Sequence, residues 1–395
     1  MRRAVYQISI DGNDVSSAFD PVLLSLTVKM GDGGEADSCD IELDDTDGQI
    51  ELPRVGAQVT VALGWDDDDL PDDEQGAVVM FEGTTDEPKS SGGRAPDAHA
   101  AHSGHHAAAH GAGHHGGKSG GAGEGGSTPS LHSSGSRSKG RTLTISAKSA
   151  DMTGKLKEKT SRHQDKAKFG DVAQQWGQKA GVTVKVDSSL AAIERPYWSM
   201  ANESFLHWGT RIARDLGATF KVFGKTAVFV PRGGGTSASG QALQSISATW
   251  GDNLIEWSIT PILSRPDFGK LSVRYYDKQD ATWKEEEVGN DASNSTVKHR
   301  ERFKAPTQDH AKNRAGANAA ECKGDKGGGD SVTIDGEPAA QAEAPCNVSG
   351  VRPGADGTYT IKDVSHSLTR PGGFKTHLGL KQPSGSAGTD SRAAA

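Results

Sequence analysis

The sequence predicts a mainly β fold with an inserted α+β domain. Three observations predict it: runs of alternating apolar residues at both ends of the chain, two amphipathic helices in its middle third, and a long Gly/Ser/His-rich segment between two strands. Alternation with a period of two is typical of strands that bury one face, and a period of 3.6 is typical of helices.

The first 87 residues alternate like the strands of an antiparallel β-domain. An Asp11-Gly12 turn follows the first run, and further turn residues stand at Asp47-Gly48 and Gly56. The apolar positions predicted to face one core are Tyr6, Ile8, Ile10, Leu24, Leu26, Val28, Met30, Ile41, Leu43, Val59, Val61, Leu63, Val79 and Phe81. The pattern resumes at Leu143, Ile145 and Ala147, so residues 141–149 complete this first β-domain.

An acidic segment lies between two of these strands. Its carboxylates are Asp66 to Asp69, Asp72, Asp73 and Glu74. Calcium prefers several carboxylate oxygens, so a calcium loop is one interpretation. Because no glycine stands at the sharp-turn position of an EF-hand loop, a solvated hairpin tip is the interpretation we favour.

Residues 88–140 are rich in Gly, Ser, Ala and His and have almost nothing to bury, which predicts an insertion within a hairpin whose flanks lie close together. Eight of the 14 histidines occur here. Neutral imidazoles bind zinc, copper or nickel, and His105, His106, His114 and His115 are the candidate metal ligands. A glycine-rich segment does not by itself supply fixed geometry, so we predict no specific metal site and no cofactor.

Residues 150–232 are predicted to form a small α+β domain. Phe169, Val172, Ala173, Trp176 and Ala180 share one helix face, and Gly181 follows in the position that ends helices. A second helix is predicted from a cap at Asn202 to Gly217, and its apolar face consists of Phe205, Trp208, Ile212, Ala213 and Leu216.

A hairpin follows the second helix. Its strands, Thr219 to Phe223 and Thr226 to Val230, are joined by a Gly224-Lys225 turn. Trp176, Trp198 and Trp208 could form a ligand platform, but tryptophans at this spacing are more often core residues.

Residues 233–382 are predicted to form a second β-domain after a Gly233 to Gly240 linker, and residues 383–395 a frayed tail. Strands are expected at Trp250 to Ile259, Leu271 to Tyr276 and Thr358 to Leu380. An Ala-rich helix, Gln308 to Glu321, is expected to cover little core.

Composition excludes several classes of protein. No run of about 18 apolar residues occurs, and no apolar segment follows Met1-Arg2-Arg3, so neither a membrane span nor a signal peptide is predicted. A formal charge of -8 argues against a surface that coats nucleic acid. Cys39, Cys322 and Cys346 are too few for a disulfide framework and are expected to be thiols.

Three segments together resemble the phage late control gene D protein family, the baseplate hub of contractile tails, which is related to the hub part of type VI secretion spike proteins. They are Phe81-Glu82-Gly83 with Leu143 to Ala147; Met200 to Gly217 (MANESFLHWGTRIARDLG); and Asp356 to Leu378 (DGTYTIKDVSHSLTRPGGFKTHL). The second segment is the most specific. The resemblance covers nearly the whole chain apart from residues 88–140 and the last dozen.

The resemblance implies two tail-hub β-barrel domains plus the small α+β domain, in a homotrimer that adapts a six-fold tail tube above it to a three-fold spike below it. The other implied partners are further baseplate proteins. The expected location is the virion, after assembly in the host cytoplasm. Neither a membrane span nor specific nucleic-acid binding is implied, although a genome would pass through or near the lumen.

No catalytic motif of the G-x-S-x-G, H-E-x-x-H or Walker type occurs in the sequence, so an enzyme is not predicted. A cell-wall hydrolase associated with the hub, or a metal-binding module, remains the alternative. His366 and His377 flank the last turn and could pair across it, but a structural role as hydrogen-bonded side chains fits a turn better.

Overall fold

A computed structural model describes most of the chain. The described ranges are 2–31, 36–66, 76–92, 140–149, 154–235, 241–260, 268–290, 295–324 and 330–384, with side chains through 322 in the eighth range and through 381 in the last. The fold is mainly β, as predicted. Most of the acidic segment, all eight histidines of the insertion, part of the second linker and the tail from residue 385 lie outside these ranges.

The first β-domain contains a short helix, α1 (Ser16–Phe19), and strands that share one apolar core. The strands are β1 (Arg3–Ile10), β2 (Asn13–Asp14), β3 (Leu23–Gly31), β4 (Ser38–Asp44), β5 (Gln58–Asp66), β6 (Gly76–Thr85), β7 (Lys89–Gly92) and β8 (Arg141–Lys148). The predicted Asp11-Gly12 turn is confirmed: both residues have positive φ, +50° and +79°, and Ile10 pairs with Asn13 across them.

The alternation predicted for β6 is wrong at one residue. Phe81 is buried as expected, but Val79 is 55% exposed. Val61 on β5 pairs with Phe81, and the next residue, Ala62, pairs with Val79, so Met80 is an extra residue in β6. A bulge of this kind reverses the side on which the following side chains point.

The flanks of the predicted insertion meet, as expected. Gly92 at the end of β7 is the Cα partner of Arg141 at the start of β8. Strand β7 lies inside the segment assigned to the insertion, so paired backbone continues four residues into it.

The α+β domain follows. Its elements are β9 (Thr160–Lys168), α2 (Phe169–Lys179), β10 (Thr183–Val186), α3 (Ser188–Ala191), β11 (Glu194–Glu203), α4 (Phe205–Leu216), β12 (Ala218–Phe223) and β13 (Thr226–Pro231). Both predicted helices are confirmed, and each is followed by a glycine of positive φ, Gly181 at +86° and Gly217 at +64°. The predicted Asn202 cap is wrong: Ser204 caps α4, because its Oγ accepts a hydrogen bond from the backbone N of His207.

The last region carries two kinds of sheet. A three-stranded sheet of β16 (Lys270–Asp277), β17 (Thr282–Gly289) and β18 (Lys298–Arg300) packs against α5 (Gln308–Gly324). The Ala-rich helix is thus confirmed, and its core is small, with Ala311 and Ala315 buried against Val273 and Tyr275.

The other strands of this region form the second β-domain, and the first and last strands of their pairing order, β14 and β15, lie close together. They are β14 (Ile246–Thr249), β15 (Leu254–Ser258), β19 (Asp330–Asp335), β20 (Pro345–Ser349), β21 (Gly357–Thr369) and β22 (Gly373–Ser384). They pair in the order β14-β20-β21-β22-β19-β15, and a single bridge joins Trp250 to Leu254 beside the two ends of this series.

The two β-domains share one sheet. Residues Asp363 to Thr369 of β21 pair antiparallel with β3, and this pairing joins 14 strands of the described chain into one sheet. The first part of β21 and most of β22 contribute Tyr359, Ile361 and Leu378 to the second core. Leu368 and Phe374, at the tip of the same hairpin, are buried in the first core.

Candidate assembly surfaces

Strand β15 presents an exposed aromatic edge. It pairs with β19 on one side, and within the described ranges no strand pairs with its other side. Trp250 and Trp257 lie edge to face with ring centroids 4.6 Å apart, and they are 51% and 36% exposed. Ile255 between them is also exposed. An edge strand with large apolar side chains is suited to pairing with another chain.

A second apolar surface lies where the three domains meet. A groove of about 450 Å³ runs between β6, the β12–β13 sheet and the segment around residue 340. Val78, Val79 and Phe223 line it and are each at least 43% exposed. The bulge in β6 is what turns Val79 into this groove.

Ion pairs hold the walls of the groove together. Lys221 of β12 lies 3.1 Å from Asp37 of the first β-domain, and both side chains are largely buried. Lys381 of β22 lies 2.6 Å from Glu343, whose other oxygen accepts a hydrogen bond from the backbone N of Gly233. These contacts fix the three domains relative to one another.

A third exposed surface lies on the small sheet. Tyr276 and Trp283 stack edge to face at 5.3 Å, and the Nζ of Lys304 lies 4.3 Å from the Trp283 ring centroid. Around them, Glu285 and Glu287 alternate with Lys298 and Arg300 in surface ion pairs. A hydrogen bond from Ser272 and contacts with Lys298 and Arg300 lower the pKa of Glu285 to about 2.

The structure separates the two histidines that could have formed a site. His366 is fully buried and pairs with Thr376 across the hairpin; its Nδ1 lies 3.0 Å from the Thr376 Oγ1. His377 follows Thr376 in β22, so its exposed side chain points to the opposite face of the sheet, where its Nδ1 lies 3.1 Å from the Thr333 Oγ1. Each ring is within hydrogen-bonding distance of a threonine hydroxyl, as the structural interpretation predicts.

The three tryptophans of the α+β domain are core residues. Trp176, Trp198 and Trp208 are at most 2% exposed; Trp198 packs against Phe169, Trp208 packs against Phe205, and Trp176 packs against Trp208. They offer no platform to a ligand, so the core interpretation is confirmed.

The candidate metal ligands His105, His106, His114 and His115 lie outside the described residues, and so does most of the acidic segment. Among the residues whose positions are described, no group of three or more His, Cys, Asp or Glu side chains is arranged to hold a metal ion. No helix in the same part of the chain is long and apolar enough to span a membrane. Cys39 and Cys346 are buried, and burial raises the pKa of both thiols, which makes them poor nucleophiles.

Sequence reasoning missed both the edge of β15 and a pocket lined by arginines between β11 and α5. Trp250, Ile255 and Trp257 predicted a strand, but their pattern gives no indication that the strand lies at an edge. The arginine pocket brings residues 195–215 together with residues 278–314, so no local spacing indicates it.

Comparison with known proteins agrees with the predicted resemblance. Over 249 residues, which are 62% of this chain and 50% of the relative, the chain is 28% identical to the probable baseplate hub protein of Escherichia phage 186. Over the same length it is 26% identical to the probable baseplate hub protein of Escherichia phage P2. The chain thus spans about half the length of the curated relatives it matches. No protein-family model matches it.

The fold has a counterpart that covers nearly the whole chain. The 43 kDa tail protein of prophage MuSo2 from Shewanella oneidensis superimposes with a TM-score of 0.64, at 12% identity, over 95% of this chain and 98% of that one. At this identity the likeness concerns the fold. Sequence and fold together establish that the chain is a relative of the phage baseplate hub proteins and is built like a phage tail protein.

Proposed function

We propose that this chain is a structural subunit of a baseplate hub, located in the tail of a phage or of a related injection particle. The observation that carries the proposal is the similarity to two baseplate hub proteins over 62% of the chain. The tail-protein fold over nearly the whole chain supports it. In this role the protein works by presenting surfaces to neighbours and has no catalytic step.

Within the hub, three copies form a ring in which the two β-domains of each subunit alternate. Six similar units would then face a six-fold tail tube above, and three subunits would face a three-fold spike below, with other baseplate proteins around them. The rigid joint between the β-domains through β3 and β21 supports this arrangement, because the two units must keep a fixed angle. The exposed edge of β15 is the surface we assign to the neighbouring copy.

The oligomeric state tests the ring. Mass photometry and light scattering coupled to size exclusion should give three times the chain mass at micromolar concentration. A species that stays monomeric or dimeric across the accessible concentration range would contradict the ring.

The assignment of β15 has its own test. Trp257→Glu places a charge in the contact and should shift the mass to the monomer, with the far-UV circular dichroism unchanged. Trp283→Glu, the same change at an exposed tryptophan of the small sheet, is the matched control and should leave the trimer intact. Trimers that persist in Trp257→Glu, or dissociate only in Trp283→Glu, would place the contact elsewhere.

The absence of a catalytic step is tested with the purified protein on dye-labelled cell walls. We expect dye release at the level of buffer alone. Release that exceeds buffer and disappears in the His366→Gln or His377→Gln variant would favour the hydrolase instead.

A further inference from the structure

A basic pocket lies between the α+β domain and the small sheet with its helix. Its volume is about 410 Å³, which is in the range of small-ligand sites. Strand β11 and helix α4 form one wall, and the turn after β16 with the start of α5 forms the other. Its charged and titratable lining residues are Arg195, Arg211, Asp215, Lys278, His310 and Arg314.

Arg195 is the unusual member of this set. Its side chain is 6% exposed, its guanidinium lies 4.6 Å from the Trp198 ring centroid, and its Nε is buried without a hydrogen-bond partner. No carboxylate oxygen of the described residues lies within ion-pairing distance of it. Burial lowers the pKa of Arg195 to about 10, and the charge of Asp215 opposes this change only in part. A buried cation without a partner is costly, so such a group calls for an anion.

Two of the other cations of the pocket already have carboxylate partners. Arg211 donates hydrogen bonds to both carboxylate oxygens of Glu203 and to the carbonyl of Ser199. Arg314 lies 4.0 Å from Glu301. Lys278 stands exposed at the rim and makes no ion pair within the described part of the chain. Arg195 and Lys278 remain, and Asp215, the acid that lines the pocket, offsets one of these two charges, so one positive charge is left over.

The first turn of α5 adds two features. Thr307 lines the pocket and caps the helix, since its Oγ1 accepts a hydrogen bond from the backbone N of His310. The N-terminus of a 17-residue helix carries partial positive charge. The Nε2 of His310 is buried without a partner, and burial together with the charge of Arg195 lowers the pKa of its ring to about 4. The ring is therefore neutral at pH 7 and adds no charge to the pocket.

We propose that this pocket binds the oxoanion group of a small ligand, a phosphate or a carboxylate, between Arg195, Lys278 and the N-terminus of α5. The guanidinium fork of Arg195 matches two oxygens of such a group. Pro196, Tyr197 and Pro306 line the remaining volume and suit a less polar part of the ligand. Because the anion contacts both walls, it would clamp the small sheet and α5 onto the α+β domain, a role separate from hub assembly.

The test uses the full chain with inorganic phosphate and, in a separate arm, citrate. We expect saturable heat in isothermal titration with one site per chain, and an unfolding temperature that rises with either anion above that in sodium chloride of equal ionic strength. Response to phosphate alone would assign a phosphoryl ligand, and response to citrate alone a carboxylate ligand. No response to either anion beyond that to chloride would overturn the proposal.

Variants of the lining residues show whether the anion binds in this pocket. Arg195→Met keeps an apolar chain over Trp198 and should weaken anion binding by about tenfold or more. Arg54→Met removes one charge from an exposed arginine of the first β-domain and should bind like the wild type. Lys278→Gln changes an exposed rim residue, so its fold is secure even where that of Arg195→Met is not, and it should weaken binding by roughly threefold. Wild-type affinity in Lys278→Gln and in a folded Arg195→Met would place the anion elsewhere and overturn the assignment.

Discussion

The indole Nε1 of Trp65 donates a hydrogen bond of 2.7 Å to the carbonyl oxygen of Gly336. Trp65 is near the end of β5 in the first β-domain, and Gly336 follows β19 in the second. The Trp65 ring also lies 5.5 Å from that of Phe374, at the tip of the β21–β22 hairpin. This contact is a second tie between the β-domains, in addition to the β3–β21 pairing.

Trp65→Phe removes the donor and keeps an aromatic ring, so it tests this tie. The carbonyl of Gly336 loses its partner in a half-buried place, and we expect the free energy of unfolding to fall by about 1 kcal/mol in urea denaturation. Trp283→Phe makes the same change at an exposed tryptophan and should alter stability by less than about 0.5 kcal/mol. Equal effects of the two substitutions would show that the hydrogen bond contributes nothing.

Lys381→Met should be among the most destabilising single substitutions. Lys381 and Glu343 are at most 7% exposed, so removal of the ammonium leaves a carboxylate in the interior. We expect a loss of about 3 kcal/mol or more in the free energy of unfolding, part of which returns in the Lys381→Met/Glu343→Gln double variant. Lys284→Met breaks an exposed ion pair with Asp277 and should have a far smaller effect. A double variant no more stable than the single one would argue against the buried charge as the cause.

His366 should make the protein less stable in acid. Burial lowers its folded-state pKa from 6.5 to about 4. Between these values the unfolded chain binds a proton that the folded chain does not, so stability falls as the pH falls from about 6.5 towards 4, by up to about 3 kcal/mol. His310 contributes in the same direction.

The contribution of His366 is isolated by substitution. His366→Gln cannot titrate and should show a shallower decrease of the urea midpoint between pH 7 and pH 4.5. His377→Gln, on the exposed face of the same hairpin, should keep the slope of the wild type. A wild-type slope in His366→Gln would mean that other groups cause the acid sensitivity.

The long insertion should be replaceable by a turn. Gly92 and Arg141 are paired, so replacement of residues 93–139 by one asparagine leaves Asn-Gly140 as a two-residue loop between them. Asn-Gly is the preferred sequence for the type I′ turn of such hairpins. We expect the shortened chain to form an oligomer with the same number of subunits as the wild type and to unfold at the same urea midpoint. Conversion to monomers would show that the insertion takes part in assembly.

Local patterns predicted the local structure well. The face of α2 from Phe169 to Trp176, the glycine that ends each helix and the Gly224 hairpin all depend on residues within a few positions of one another, and all are observed. Asn202 failed as a cap because it lies in an irregular end of β11 with φ of +50°, which moves the helix start to Ser204 and Phe205.

Long-range structure could not be predicted in the same way. The alternation of β3 predicts a buried face but not its partners, which are β4, the next strand in the chain, and β21, more than 300 residues later. The bulge at Met80 could not be predicted either, because an extra apolar residue in an apolar strand does not change the character of its sequence. The unpaired state of Arg195 emerges only when β11, α4 and α5 are brought together.

The shared β21–β22 hairpin has a consequence for the order of events during synthesis. Leu368 and Phe374 belong to the core of a domain whose other strands end at Lys148, so that core is incomplete until the last hairpin has left the ribosome. Strand β3 pairs with β4 on one side but has no partner on its other side until β21 is made. The first β-domain therefore completes its core late although most of its strands are made early, and a chain stopped before residue 363 would lack part of both cores.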